Sequence, residues 1–269
     1  MRSSRGKTSA VLAVCVAGLA FGQAFAPMGD LKFDAGTFKP TPPDIEDGGW
    51  VHPEPGGRRY IGSRMSLREY LWVAYQVKPE QIVGGPEWMD SEPYDLNAEA
   101  ARSSSLIDLH IMLQNLLTEQ FHLKFHFEKK EMRAYTLTIA PGGAKNLKVR
   151  EHANGGDVFL DQATQHLDHV RITAHCGSMD FLAWRLSQSF DHPIVNQTGI
   201  PGCFDFVLTY TQELPLGVHD GQVVDGDPVD SFGPTIYEAL EQQLGLKLEK
   251  TRAPVETMVI DDAERPSAE

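Results

Sequence analysis

The chain has 269 residues, 41% of them hydrophobic and 23% charged, which is ordinary globular composition and enough for one large domain or two small ones. Its formal net charge of -13 argues against nucleic acid and anionic membrane as partners. The 24 glycines and 17 prolines predict many turns.

The first segment reads as a signal peptide, residues 1–26, and not as part of the fold. Arg2, Arg5 and Lys7 form a basic start, Ala10 to Phe21 is an apolar run too short to span a bilayer comfortably, and Ala24-Phe25-Ala26 has the form of a cleavage site. The alternative is an uncleaved anchor. A lipid anchor fits poorly, because Cys15 lies within the apolar run after Val14. The chain is therefore expected to be exported, periplasmic or extracellular, with no membrane span once the signal is removed. Residues 1–26 hold three basic and no acidic residues, so their loss takes the net charge to -16. Cys15 leaves with them, and Cys176 and Cys203 remain as the pair that an oxidising compartment can join.

Residues 27–59 form an N-terminal arm, with a strand within Leu31–Lys39 and a Pro/Gly-rich loop over Pro40–Gly57. A first unit spans residues 60–140. Ser66-Leu67-Arg68-Glu69 reads as a capping box, and Leu67, Tyr70, Leu71, Ala74 and Tyr75 then recur at helical spacing. A second helix carries Leu109, Met112, Leu113, Leu116 and Leu117 and runs into the strict alternation of Phe121–Glu128, a strand whose Phe121, Leu123, Phe125 and Phe127 face the core. A further strand, Tyr135–Ile139, stops at Pro141-Gly142-Gly143.

Residues 141–170 read as a polar connector, and 171–269 as a second unit with an acidic, Gly-rich and mobile loop at 214–233. Ser178 opens a helix with Met179, Leu182, Ala183 and Leu186 on one face. Pro234 precedes another with Ile236, Ala239, Leu240 and Leu244, which Gly245 stops. Leu246–Leu248 and Met258–Ile260 read as short strands. The two units match in order. Gln81-Ile82-Val83 matches Pro193-Ile194-Val195 at an offset of about 112, and Leu116-Leu117 through Phe125 matches Ala239-Leu240 through Leu248 at about 123. Tyr94-Asp95-Leu96 likewise matches Phe204-Asp205-Phe206. The expected fold class is α+β, a tandem duplication of a strand-helix-strand-strand-helix-strand-strand unit. Each unit alone buries little apolar area, so the two are expected to pack together or share a sheet.

Candidate chemistry is sparse. There is no GxSxG elbow, HExxH helix or GxxxxGK[ST] loop. No catalytic residue and no cofactor is assigned. His166, His169 and His175 are weak candidates for a metal site, but their spacing is loose and surface histidines are the favoured reading. His122 and His126 lie ~13 Å apart if on one strand, too far to share a metal. Asp225, Asp227 and Asp230 lack the EF-hand register, which favours a solvated loop. Asp95 and Asp205 hold equivalent places in the two units, so a fold role such as accepting a nearby backbone N–H is expected. Trp50 and Trp88 are expected to pack under loops, the alternative being exposed binding aromatics. Cys176 ends the strand before the second unit's first helix and Cys203 enters the strand after it; if those strands are neighbours, a disulfide follows.

Phe33-Asp34-Ala35-Gly36-Thr37-Phe38-Lys39-Pro40 resembles the mature start of a family of exported soil-bacterial proteins of unknown function, numerous in acidobacteria. Pro55–Arg58 leading into Met65–Glu69, Gly84–Trp88, Met112–Leu117, Val195–Ile200 and Leu240–Leu248 through Val255 are similar to its further blocks. The resemblance covers nearly all of the mature chain and implies no reaction. Some relatives resemble this module fused to a membrane-bound sensor peptidase of the antibiotic-response type; this chain lacks that part. In pattern and order each half also resembles the small N-terminal domain of secretins and TonB-dependent receptors, which binds partner proteins. The expected function is a non-catalytic extracytoplasmic binding or interaction module, possibly in a sensory role, for an unknown protein or small ligand of the cell envelope. The alternative is a cell-envelope hydrolase or metal-dependent enzyme.

Overall fold

The computed structural model describes residues 30–43, 48–54, 56–150, 164–165, 168–214, 219–224, 227–229 and 232–267. The expected signal peptide, residues 1–26 with Cys15, lies outside them, as do His166, Asp225 and Asp230. The first half forms β1 (Ala35–Pro40), β2 (Trp50–Pro53), β3 (Arg59–Ser66), α1 (Leu67–Tyr75), β4 (Ile82–Gly84), α2 (Trp88–Ser91), β5 (Pro93–Glu99), α3 (Leu106–Gln120) and β6 (Lys124–Ile139). Then come β7 (Lys148–Arg150), β8 (Thr164–Gln165), β9 (His169–Gly177), α4 (Met179–Ser187), β10 (Ile194–Asn196) and β11 (Cys203–Thr211). Strands β12 (Val223–Val224) and β13 (Asp227–Pro228) pair with each other. Helix α5 (Ile236–Ala239) runs into a π-helical turn at Leu240–Leu244, and β14 (Leu246–Asp262) closes the fold.

The class is α+β, as its composition of elements predicts. One sheet runs β1-β5-β3-β2, another β7-β11-β9-β8, and a third β10-β6-β14-β4. This third sheet draws strands from both halves. Its centre is the long antiparallel ladder of β6 and β14. Strand β4 joins β14 in parallel, Ile82 beside Met258, and β10 joins β6 in parallel, Ile194 beside Tyr135. Each half thus lends its short strand to the last strand of the other half, and the partners differ by the 112 and 123 positions read in the sequence.

Two cores follow from this exchange. The first, around Tyr70, Leu71, Tyr75, Leu113, Leu117 and Phe121, takes Met258 and Ile260 from β14. The second, around Leu182, Leu186, Phe206, Leu208, Leu240 and Leu244, takes Tyr135 and Leu137 from β6. Each core therefore needs residues from both halves to exclude water.

Several sequence expectations are corrected. Phe121–Glu128 is not one strand: α3 continues to Gln120, Phe121 caps it, and His122 turns the chain at φ 48° before β6 begins. All four apolar residues of that run nonetheless pack against the first core. Where two short strands were expected in each unit there is one, of 16 residues in β6 and 17 in β14. The stretch Glu128–Arg133, polar but for Met132, imitates a turn; it pairs instead with Arg252–Thr257 of β14, and Met132 packs in a small third cluster with Ala134, Ala253 and Val255. Pro254, which lacks an N–H, is tolerated because β4 reaches only Met258–Ile260 and leaves the second side of β14 without a strand there. The expected loop 40–57 contains β2, and the connector contains β7 and β8.

Candidate functional site

The two halves share one construction at the corner where a helix follows a strand. Ser66 and Ser178 cap α1 and α4, each accepting from the third helical N–H, and each cap follows a bulged strand. The bulge puts Arg64 at φ 52° and Cys176 at φ 58°, a left-handed conformation that side chains rarely adopt. A carboxylate holds each one: Asp95 Oδ1 accepts from Arg64 N–H at 2.9 Å, and Asp205 Oδ1 from Cys176 N–H at 3.1 Å. The paired aspartates therefore serve the fold. Burial opposes ionisation of Asp205, but Arg150 and the Cys176 N–H outweigh it and hold its carboxyl below the usual range.

Beyond this shared base the corners differ. In the first half Arg68, the second residue of α1, lays its guanidinium along β4. It donates to Ile82 O at 3.0 Å, to Gly84 O at 3.1 Å, and through both Nε and Nη2 to Asp90 of α2. Trp88 of α2 packs on Phe121 and carries Arg265 over its ring. The corner is filled.

In the second half, Asp180 is the second residue of α4, and its Oδ1 accepts from Asn196 Nδ2 at 2.7 Å. Asn196 Oδ1 in turn accepts from Thr198 N–H at 3.0 Å and Thr198 Oγ1–H at 2.8 Å, and Thr198 Oγ1 accepts from Ile200 N–H at 3.2 Å. These bonds, with Gly199 at φ 66°, fix the turn that leaves β10. No helix corresponding to α2 follows it. A cleft of about 590 Å³ remains, within the range of ligand sites. Ile194, Val195, Ile200 and Val255 give it an apolar surface, while Lys129, Asp180 and Glu256 bring charge. Glu256 faces Lys129 across the β6–β14 ladder, and Gln81 Nε2 donates to Glu256 O at 2.9 Å. Burial pushes the Glu256 carboxyl up, with Lys129 only partly opposing it.

The residues singled out in the sequence fall elsewhere. Cys176 and Cys203 sit at disulfide distance on the adjacent strands β9 and β11, with Cα atoms 4.5 Å apart. His169 and His175 lie six residues apart on β9, ~20 Å by strand rise, so the strand does not bring them together. His169 Nδ1 lies 2.7 Å from Asp168 Oδ1. Among the described residues no group of three or more His, Cys, Asp or Glu is placed to hold a metal. His126 is on the solvent side of β6 beside Asp261 and Glu128, which raise its pKa. Trp88 packs as expected, but Trp50 is 43% exposed on the edge strand β2, stacked on His52 at 5.0 Å. Sequence reasoning missed Asp180, Glu256 and Lys129 as a group. The signal available was the substitution of Asp180 for Arg68 at matched positions of two capped helices.

A family model described as a protein of unknown function, DUF3738, matches residues 68–263, nearly three quarters of the chain. The chain belongs to the DUF3738 family. The matched region of this DUF3738 chain begins at Arg68, just after Arg64 and Ser66 of the first corner, and takes in the second corner and every residue of the cleft. No curated protein and no solved structure matches the chain. Among its described residues, no helix is long and apolar enough to cross a membrane.

Proposed function

We propose that this DUF3738 chain is an exported binding module of the cell envelope, arisen by tandem duplication of one α+β unit. One observation carries the reading: the corner that Arg68 and α2 fill in the first half is open in the second. Its rim is ordered by the bonds of Asn196 and Thr198, so the surface is largely preformed, and a preformed site binds at a smaller entropic cost. Export rests on the basic-apolar-small order of the first 26 residues, and the pair Cys176–Cys203 suits an oxidising compartment.

The presence of Asp180, Glu256 and Lys129 in the lining of one cleft is what favours the second reading, an envelope hydrolase. Against it, the described residues lining the cleft include no Ser, Thr, Cys, His or Tyr to act as a nucleophile or an imidazole base. Affinity capture from an envelope extract of the native host separates the two. A protein retained by the wild-type chain and lost with Ile200→Asp supports the binding module. Equal retention by both, or turnover of an envelope substrate abolished by Glu256→Gln, overturns it.

A further inference from the structure

The filled corner shows what chemistry suits the open one. Arg68 spans two carbonyls on the outer edge of β4, those of Ile82 and Gly84, and closes on a carboxylate. A planar guanidinium suits this task, because its donors form a fork that reaches several acceptors at once, whereas an ammonium acts as a point charge.

Strand β10 presents the same edge. Pro193 O accepts from Tyr135 N–H and Leu137 O accepts from Gln197 N–H, both at 2.8 Å, so these odd-numbered positions face β6. Alternation along the strand then turns the carbonyls of Ile194 and Asn196 to the outer side, where both residues line the cleft. These are the positions that correspond to Ile82 and Gly84 at the offset of 112. The helix above carries Asp180 where the first half carries Arg68, so the chain supplies an acid in place of the internal cation. Farther along the ladder Lys129 and Glu256 face each other, six residues from the Tyr135–Lys250 pair that lies beside Ile194. The cleft therefore keeps the two strand-edge carbonyls of the filled corner without the guanidinium that bonds them there, while Asp180 already accepts from Asn196 Nδ2.

We propose that the cleft receives an arginine side chain from an extended segment of a partner protein, its guanidinium bonding the outer edge of β10 as Arg68 bonds β4. The inference rests on the binding-module reading and names the chemistry of its partner. The volume of about 590 Å³ exceeds one guanidinium, and the apolar wall of Ile194, Val195, Ile200 and Val255 takes the residues flanking it. The strongly acidic balance of the chain also favours a cationic partner.

The test is an NMR titration of the ¹⁵N-labelled chain with acetyl-Val-Arg-Val-amide and with its citrulline counterpart, which keeps the shape and removes the charge. The arginine peptide is expected to shift the amide signals of Asp180, Asn196 and Gln197 and to bind about tenfold tighter than the citrulline peptide. Asp180→Arg, which copies the first half, is expected to fill the cleft from within and abolish the shifts. Should that variant not fold, Asp180→Asn, which keeps the acceptor for Asn196 and removes the charge, serves instead, with an expected weakening of about threefold or more. Equal affinity for the two peptides, shifts confined to other surfaces, or no shifts at millimolar peptide would overturn the inference. In each of those cases a captured partner still lost with Ile200→Asp would leave the binding-module reading standing.

Discussion

The corner around Arg68 and the corner around Asp180 start alike and end differently. Both have a serine cap, a left-handed bulge residue and an aspartate that accepts its N–H. One is then sealed by a guanidinium and a short helix, while the other is left as a cleft. What the halves share marks what the fold requires; where they part marks the surface that the proposed function assigns to another molecule. The disulfide belongs to the second category in sequence, since Arg64 and Pro93 stand at the corresponding places in the first half, and to the first in effect, since it joins a bulge to the adjacent strand.

The largest expected difference between the halves lies at the turn after each second helix. Gly245 ends the π-helical turn at φ 64°, and His122 holds the matching place at φ 48°. A Cβ on Gly245 would collide with the carbonyl oxygen of Gly143. Gly245→Ala should therefore destabilise the chain by about 4 kcal/mol in denaturant unfolding, the left-handed penalty plus a backbone shift. His122→Ala should cost almost nothing. Similar losses at both places would break the comparison.

The disulfide should come next. It closes a separation of 27 residues, and Cys176→Ala with Cys203→Ala should cost about 3.5 kcal/mol. Labelling of the denatured, oxidised wild type should find no free thiol at these two positions.

Acid should separate the cores. His110 is buried in the first core, with Gln76 Nε2 3.1 Å from its Nδ1 and Tyr60 Oη 3.1 Å from its Nε2. The neutral ring satisfies both, accepting at Nδ1 and donating at Nε2, and burial pushes its pKa down to about 4. The unfolded chain binds this proton more readily, so the stability is fully present above the ordinary histidine pKa near 6.5. It is lost as pH falls through that value toward about 4. The loss attributable to His110 should reach about 3 kcal/mol, measured as the difference between wild type and His110→Gln at each pH. The second core contains no buried histidine among its described residues, so its reporters should be the less acid-sensitive.

The smallest effect is a gain. His122→Gly relieves the left-handed strain at a place where the side chain is mostly exposed, and should stabilise by about 1 kcal/mol. A loss would show that the Glu264 contact, at 3.9 Å, matters more than the backbone.

Helix faces, caps and the order of elements were legible because they repeat locally: Leu67, Tyr70, Leu71, Ala74 and Tyr75 are all buried on one face of α1. The fold role of Asp95 and Asp205 was legible because the same aspartate stands between apolar residues in both halves, Tyr94-Asp95-Leu96 and Phe204-Asp205-Phe206. The long ladder was not, because the pairing of Glu128–Arg133 with Arg252–Thr257 is a contact between residues more than a hundred positions apart. Trp50 misled for a related reason: its loop composition hid an edge strand supplied with a partner by β3. The cleft was illegible as such. Val195–Ile200 stood out as a block of the sequence, but Lys129, Asp180 and Glu256 come to line one cleft with it only after β10 has crossed to β6.

The central claim, that the open corner of the second half is the binding surface, is tested most directly by site-specific photocrosslinking in the native host. A photoreactive residue is placed at Gln197, exposed at the cleft rim, and separately at Glu87, exposed beside the filled corner. The account predicts a discrete adduct from position 197, lost when Asp180→Arg is added, and none from position 87. An adduct from position 87 with none from position 197 would contradict it.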